Sequence, residues 1–131
     1  MHPFRVAIDV MSGDFGASVI VAGVIEAKKR LGEAFNPVLC GDQAQLHAIL
    51  DGVRGAKGKA ARSFAIEHCP DVVTSSDLPS RAWKNKQHSS IVRCISLQKE
   101  GAVDASLSAG HTGVLMSAAV FLLGCLEDRK S

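Results

Sequence analysis

This 131-residue sequence predicts an α/β fold: three layers, α/β/α, around a mostly parallel sheet. Two observations carry that prediction. Short apolar or β-branched runs alternate with longer stretches of helical period, a pattern that gives parallel strands covered on both faces. Glycine-bearing turns, DVMSGDFG and SAGHTG, follow the first and fourth of those runs, where a strand passes into a helix. The 47% hydrophobic and 21% charged residues are those of an ordinary globular chain with a core, and a single domain over 1–131 is expected.

The elements follow in order. Phe4–Val10 (FRVAIDV) reads as a strand that ends in the turn Met11–Gly16. Ala17–Leu31 has apolar residues at 20, 21, 24, 25, 27 and 31, one wide helical face, with Lys28, Lys29 and Arg30 in the last turn where cations suit the helix dipole. Pro37–Gly41 is a second strand, and Asp42 can cap the helix Gln43–Leu50. Gly52–Ala61 (GVRGAKGKAA) reads as a solvated loop because of its glycines and cations. Ser63–His68 alternates as a third strand, and Cys69–Pro79 is irregular. Ser80 can cap a short helix from Arg81, and Ser89 or Ser90 a second one, Ile91–Glu100, which Gly101 closes. Val103–Ala109 is the fourth strand, and His111 or Thr112 opens a last helix. The predicted order ends soon after it, in LEDRKS, with no strand to follow, which suggests a fragment of something longer.

Several classes of function are disfavoured. The net charge of +2, five phenylalanines, one tryptophan and no tyrosine provide neither the basic field nor the stacking surfaces of a nucleic-acid binder. The cysteines, Cys40, Cys69, Cys94 and Cys125, form no CxxC pair and read as reduced and mostly buried, as in a cytoplasmic protein. The start MHPFRVAIDVM, with a basic and an acidic residue, is not a signal peptide. Val114–Leu126 is too short to span a bilayer and reads as a buried core helix. No HxH, HxxxH or HExxH pattern exists, so no metal is expected, and the glycine turns are neither GxGxxG nor GxxxxGK(S/T), so no standard nucleotide cofactor fingerprint applies.

Ligands of open parallel sheets bind beyond the carboxyl ends of the strands, where both glycine turns fall. In Ser108–Gly113 (SAGHTG), Gly110 and Gly113 let backbone approach a ligand, Thr112 offers a hydroxyl, and the helix start offers unpaired N–H groups to an anion. A tight packing turn explains the same residues equally well. In Asp9–Gly16, Asp9 and Asp14 flank Ser12–Gly13. They could bind a cation or orient a ligand hydroxyl; alternatively Asp14 caps the helix and Asp9 satisfies loop amides. Arg81, Lys84 and Lys86, in PSRAWKNKQHSS, make either a solvated helix face or a dock for phosphate or an acidic partner.

Taken together and in this order, these segments resemble the phosphate acyltransferase family of bacterial phospholipid synthesis. The D-x-M-G-G-D turn of that family is similar to Asp9-Val10-Met11-Ser12-Gly13-Asp14, and its V-G-D segment to Cys40-Gly41-Asp42. Its P-S-x-A-x-x-x-K-x-x-S-S run matches Pro79, Ser80, Ala82, Lys86, Ser89 and Ser90. Its S-A-G-N-T-G-A-L-M matches Ser108 to Met116, with His111 in place of the asparagine and, in the first motif, Ser12 in place of a glycine.

The resemblance implies an isocitrate/isopropylmalate dehydrogenase-like fold. It also implies transfer of an acyl group from acyl carrier protein to inorganic phosphate, by a cytoplasmic homodimer that touches the membrane surface. On that footing Gly110, Thr112 and Gly113 cradle phosphate, Ser12 and Gly13 form the facing wall, and Asp14 and His111 are the candidate catalytic groups. Arg81, Lys84 and Lys86 would steer phosphate or the acidic carrier protein. Two other readings stay open: an inactive, truncated α/β binding module, and a phosphotransacetylase-like enzyme that uses a coenzyme A thioester.

Overall fold

A computed structural model describes residues 3–13, 16–74, 77–110 and 112–125. These form strands β1 (Phe4–Asp9), β2 (Phe35–Gly41), β3 (Ala65–His68) and β4 (Ala105–Ser108). The helices are α1 (Ala17–Leu31), α2 (Gln43–Asp51), α3 (Gly55–Ala61), α4 (Pro79–Asn85), α5 (Ser90–Lys99) and α6 (Thr112–Ala118). A 3₁₀ turn, Gly32–Ala34, links α1 to β2, and α6 runs on as a π-helical stretch, Ala119–Leu123. All strand pairs are parallel and the order is β3-β2-β1-β4.

Strand parity sorts the core into two layers, since successive side chains of a strand point to opposite faces. Ile8 and Val10 of the first strand segment and Leu39 of β2 pack with Val21, Val24, Ile25, Leu46, Leu50, Ala61 and Phe64 beneath α1, α2 and α3. Ala7 and Cys40 face the other way, onto Cys69, Cys94, Leu97 and Val103 under α5. Beyond α5, Ala82, Ile91, Val92 and Val114 join α4, α5 and α6 into a third cluster. The sheet is thus covered on both faces, as expected of a parallel sheet.

Local signals explain most boundaries. Asp42 caps α2, its carboxylate accepting from the Ala44 N–H, and Ser89 caps α5, its hydroxyl accepting from the Val92 N–H. Gly32 ends α1 with φ 61° and Gly101 follows α5 with φ 80°. Gly41 lets the ends of β1 and β2 meet: a Cβ there would lie 2.6 Å from Val10 Cγ2.

Three expectations are corrected. The stretch read as a solvated loop contains α3: Gly58 and Ala61 are buried, and a Cβ on Gly58 would collide with the Val53 carbonyl. Arg62 ties this helix down by donating to the Val53 and Leu50 carbonyls at 3.2 and 3.5 Å. Tertiary packing has overridden a poor helix propensity there. Helix α4 starts at Pro79, with Leu78 rather than Ser80 at the cap position, because proline suits the first turn. The apolar run from Val114 buries only one stripe, Val114 and Ala118, whereas Met116, Val120 and Phe121 are exposed. Phe121 stacks on Trp83 with ring centroids 4.9 Å apart. No helix among the described residues is long and apolar enough to cross a membrane.

Candidate functional site

The chain leaves β1 toward β2 and β3, then crosses back over α4 and α5 to place β4 on the other side of β1. The sheet order therefore reverses between β1 and β4. Loops diverge there at the carboxyl edge, and that crevice is where open α/β sheets bind ligands. Asp9 and Ser108 are register partners at the ends of those two strands, so both glycine turns start side by side.

Asp9 is the centre of the arrangement. It is 1% exposed and sits on the α5 face of β1, in line with Ala7. Its Oδ2 accepts the Ser108 hydroxyl at 2.7 Å. Its Oδ1 accepts the Ser90 hydroxyl at 2.5 Å and the Met11 N–H at 3.2 Å. The Ser108 oxygen in turn accepts the Gly110 N–H at 3.1 Å. One carboxylate thus binds the β1 turn, the start of α5 and the β4 turn to each other. A buried charge needs such partners to offset its desolvation.

The two turns also pack directly. A Cβ on Gly110 would overlap the Ser12 side chain and lie 3.3 Å from Ser108 Oγ. Gly13 has φ 105°, a conformation that favours glycine, and a Cβ there would lie 3.5 Å from that of Ala109. Ser12 and Gly13 therefore form a wall against Ala109 and Gly110. Thr112 opens α6 and is exposed, with Gly113 half-buried behind it.

The adjacent serines of the SS pair divide two tasks. The Ser89 hydroxyl caps α5 and donates to the Lys86 carbonyl at 2.7 Å, while Ser90 serves Asp9. Lys86 is held by the segment before α4: its ammonium lies 2.8 Å from both the Val72 carbonyl and Asp77 Oδ2. That ammonium, with the Thr74 N–H, brings the Asp77 carboxyl down to about 2. Arg81 and Lys84 are exposed on α4.

The structure thus brings Ser12, Gly13 and Gly110 together. Asp14 and His111 lie outside the described residues. Asp9 was weighed in the sequence only as a ligand for a cation or hydroxyl, or as a partner of loop amides; Ser90 and Ser108 were not singled out for the site. The available signal was an aspartate at the end of the strand FRVAID, on the same parity as Ala7 and directly before a glycine turn. Among the described residues no three His, Cys, Asp or Glu side chains converge as a metal site. A depression of about 380 Å³ lies at the opposite, amino end of the sheet, lined by Arg5, Lys28, Asn36 and Phe64 among others. Its cations are engaged, Arg5 with Asp104 and Lys28 with the Gly32 and Phe35 carbonyls, so it does not compete as an anion site.

Comparison with known proteins places nearly the whole chain within one family. Residues 4–130 match the family model described as fatty acid synthesis protein. A phosphate acyltransferase of Chlorobaculum parvum is 34% identical over 126 residues, 96% of this chain and 36% of the relative. One from Desulforamulus reducens is 38% identical over 120 residues, 92% of this chain and 34% of the relative. One from Vibrio vulnificus is 36% identical over 126 residues, with 96% and 36% covered. The chain spans about a third of the length of these curated relatives. With the family model matched from β1 through α6, and with the paired glycine turns inside that match, this chain belongs to the fatty acid synthesis protein family.

Proposed function

We propose that this chain carries the phosphate-binding edge of a phosphate acyltransferase, which moves an acyl group from acyl carrier protein to inorganic phosphate in lipid synthesis. The observation that supports it best is the meeting of the two turns at the switch point, Ser12–Gly13 against Ala109–Gly110, with Asp9 bridging them. In the reaction a phosphate oxygen attacks the thioester carbonyl, a P–O–C bond forms, and the C–S bond breaks. The phosphate proton passes to the departing thiolate.

Such a site must hold an anion while leaving one of its oxygens unencumbered, and must orient it toward the carbonyl. Gly110, Thr112 and Gly113 are assigned to the phosphate, with Ser12 and Gly13 as the facing wall. The Gly110 N–H is already engaged by Ser108, so the Thr112 hydroxyl and the N–H groups at the start of α6 supply the donors. His111 and Asp14, borne on the same two turns in the sequence, are assigned to the reacting atoms. Arg81 and Lys84 offer exposed cations to an acidic carrier protein, and Lys86 orders the segment beside them. A cytoplasmic homodimer in contact with the membrane surface completes the proposal.

The test is phosphate-dependent thiol release from acyl-carrier-protein thioester, with acyl phosphate trapped by hydroxylamine. Turnover is expected with the carrier-protein donor and weaker turnover with acyl-coenzyme A; the reverse preference would favour a phosphotransacetylase-like enzyme. A second reading follows from the span of one third: the chain binds phosphate without turnover, the remaining catalytic groups of the relatives lying in the part it does not match. Calorimetric binding of phosphate without thiol release would select that reading. Neither binding nor turnover would overturn both.

A further inference from the structure

The carboxylate of Asp9 lies behind a turn assigned to an anion, so its charge opposes any ligand there. Its hydrogen bonds have a direction as well. A carboxylate only accepts, so the protons of Ser90 and Ser108 both point at Asp9, at 2.5 and 2.7 Å. The Ser108 oxygen is left with its lone pairs. One takes the Gly110 N–H at 3.1 Å, and the other remains. Asp9 and Ser90 are 1% and 3% exposed, whereas Ser108 is half-buried at the end of β4, beside Gly110. Ser108 is thus the group through which Asp9 acts on whatever occupies the turn.

We propose that Asp9, through Ser108, is the specificity-determining residue of this site: it selects an oxyanion that still carries a proton, and so takes phosphate and rejects sulfate. The inference rests on the reading that these turns hold phosphate. The two ions are alike in size and shape. At neutral pH phosphate keeps at least one O–H, which can donate to the Ser108 lone pair, and its monoanion carries only one charge. Sulfate is fully deprotonated and presents only lone pairs to a lone pair, above a carboxylate. A site built around an unmatched acceptor discriminates strongly because the wrong ligand leaves that group unpaired.

Two substitutions shift the selectivity by different routes. Asp9→Asn removes the charge and puts an amide among the serines. Where its NH₂ meets Ser108, the Ser108 oxygen accepts from that group and from Gly110, and its own proton turns outward as a donor. Sulfate affinity should rise. Ser108→Ala keeps Asp9 but deletes the acceptor and frees the Gly110 N–H, so phosphate affinity should fall relative to sulfate.

The experiment is calorimetric titration of the 131-residue chain at pH 7 with potassium phosphate and, separately, potassium sulfate, with circular dichroism to confirm each variant is folded. The wild-type chain is expected to prefer phosphate by about tenfold or more, and each variant to narrow that ratio to about threefold or less. Folded variants that keep the wild-type ratio, or a wild-type chain that binds both ions equally, would overturn the inference and leave phosphate binding standing. A wild-type chain that binds neither ion removes the phosphate reading itself and the inference with it. Should Asp9→Asn fail to fold, Ser108→Ala decides.

Discussion

At the scale of residues, the site depends on one steric fit and one charge. Gly110 does not need its hydrogen side chain for a left-handed backbone; it needs it because Ser12 occupies the space of a Cβ. Gly110→Ala should therefore cost about 1–3 kcal/mol, the usual price of overpacking, read as a lower urea midpoint. Ser12→Gly removes the atoms that the new methyl meets, so in that background the Gly110→Ala cost should shrink by about 1 kcal/mol or more. Additive effects of the two substitutions would show that the turns do not press on each other. Of this geometry, the glycine positions were legible in SAGHTG and MSGD, because glycine in a strand–helix turn always raises the question of close approach. Asp9 was legible in part: it ends the strand FRVAID on the parity of Ala7, where a carboxylate needs donors, but Arg5 on the same parity is exposed, so parity alone does not put Asp9 inside. The donors were not legible. Ser90 and Ser108 are 81 and 99 positions away, and only the crossover that returns β4 to the side of β1 brings them to it.

At the scale of elements, caps and stops were written locally and the packed exceptions were not. Asp42 and Ser89 mark their helix starts because a short side-chain acceptor replaces a missing intrahelical partner, and those two starts were placed within a residue of where they lie. Helix α3 was missed because three glycines speak against a helix, and its reason to exist is the close approach of Gly58 to Val53. The lysine expected to steer phosphate shows the same dependence on context. Lys86 closes the irregular segment before α4 by holding Asp77 and the Val72 carbonyl, and Asp77 also accepts from the Thr74 N–H at 2.6 Å. Because the folded state holds the Asp77 carboxyl at about 2, below its ordinary value of 3.8, the clip stabilises the protein above about pH 3.8 and is lost as pH falls through about 2. Thermal melts of the wild-type chain and of Asp77→Asn should differ by a constant margin above about pH 4 and converge toward pH 2. A margin that stays open at pH 2 would mean the clip does not depend on the carboxylate.

At the scale of the whole molecule, the two faces of the sheet are chemically unequal, and this can be measured through the thiols. The face under α1, α2 and α3 is aliphatic and aromatic, while the face under α5 gathers Cys40, Cys69 and Cys94 with Ala7, Leu97 and Val103. All three cysteines are buried, and Cys125, past the π-helical stretch, is exposed. The hydrogen bond that the Cys69 thiol donates to Cys40, and then burial, push the Cys69 thiol well above its usual range, and the Cys40 thiol is raised as well. The reactive form is the thiolate, so inaccessibility and suppressed ionisation act in the same direction. A thiol-specific disulfide reagent at pH 8 should therefore label one cysteine per chain quickly, and Cys125→Ser should abolish that fast phase. The other three should react only as fast as the chain opens, and all of them at once in denaturant, since they belong to a single cluster. Cys40 is the register partner of Asp9 on the neighbouring strand, so the same measurement reaches the candidate site. If Asp9 holds the β1 and β4 turns together, Asp9→Asn should speed the slow phase, while an exposed substitution such as Lys84→Ala should not. A slow phase equal in all three proteins would show that the carboxylate network contributes nothing to closing this face of the sheet.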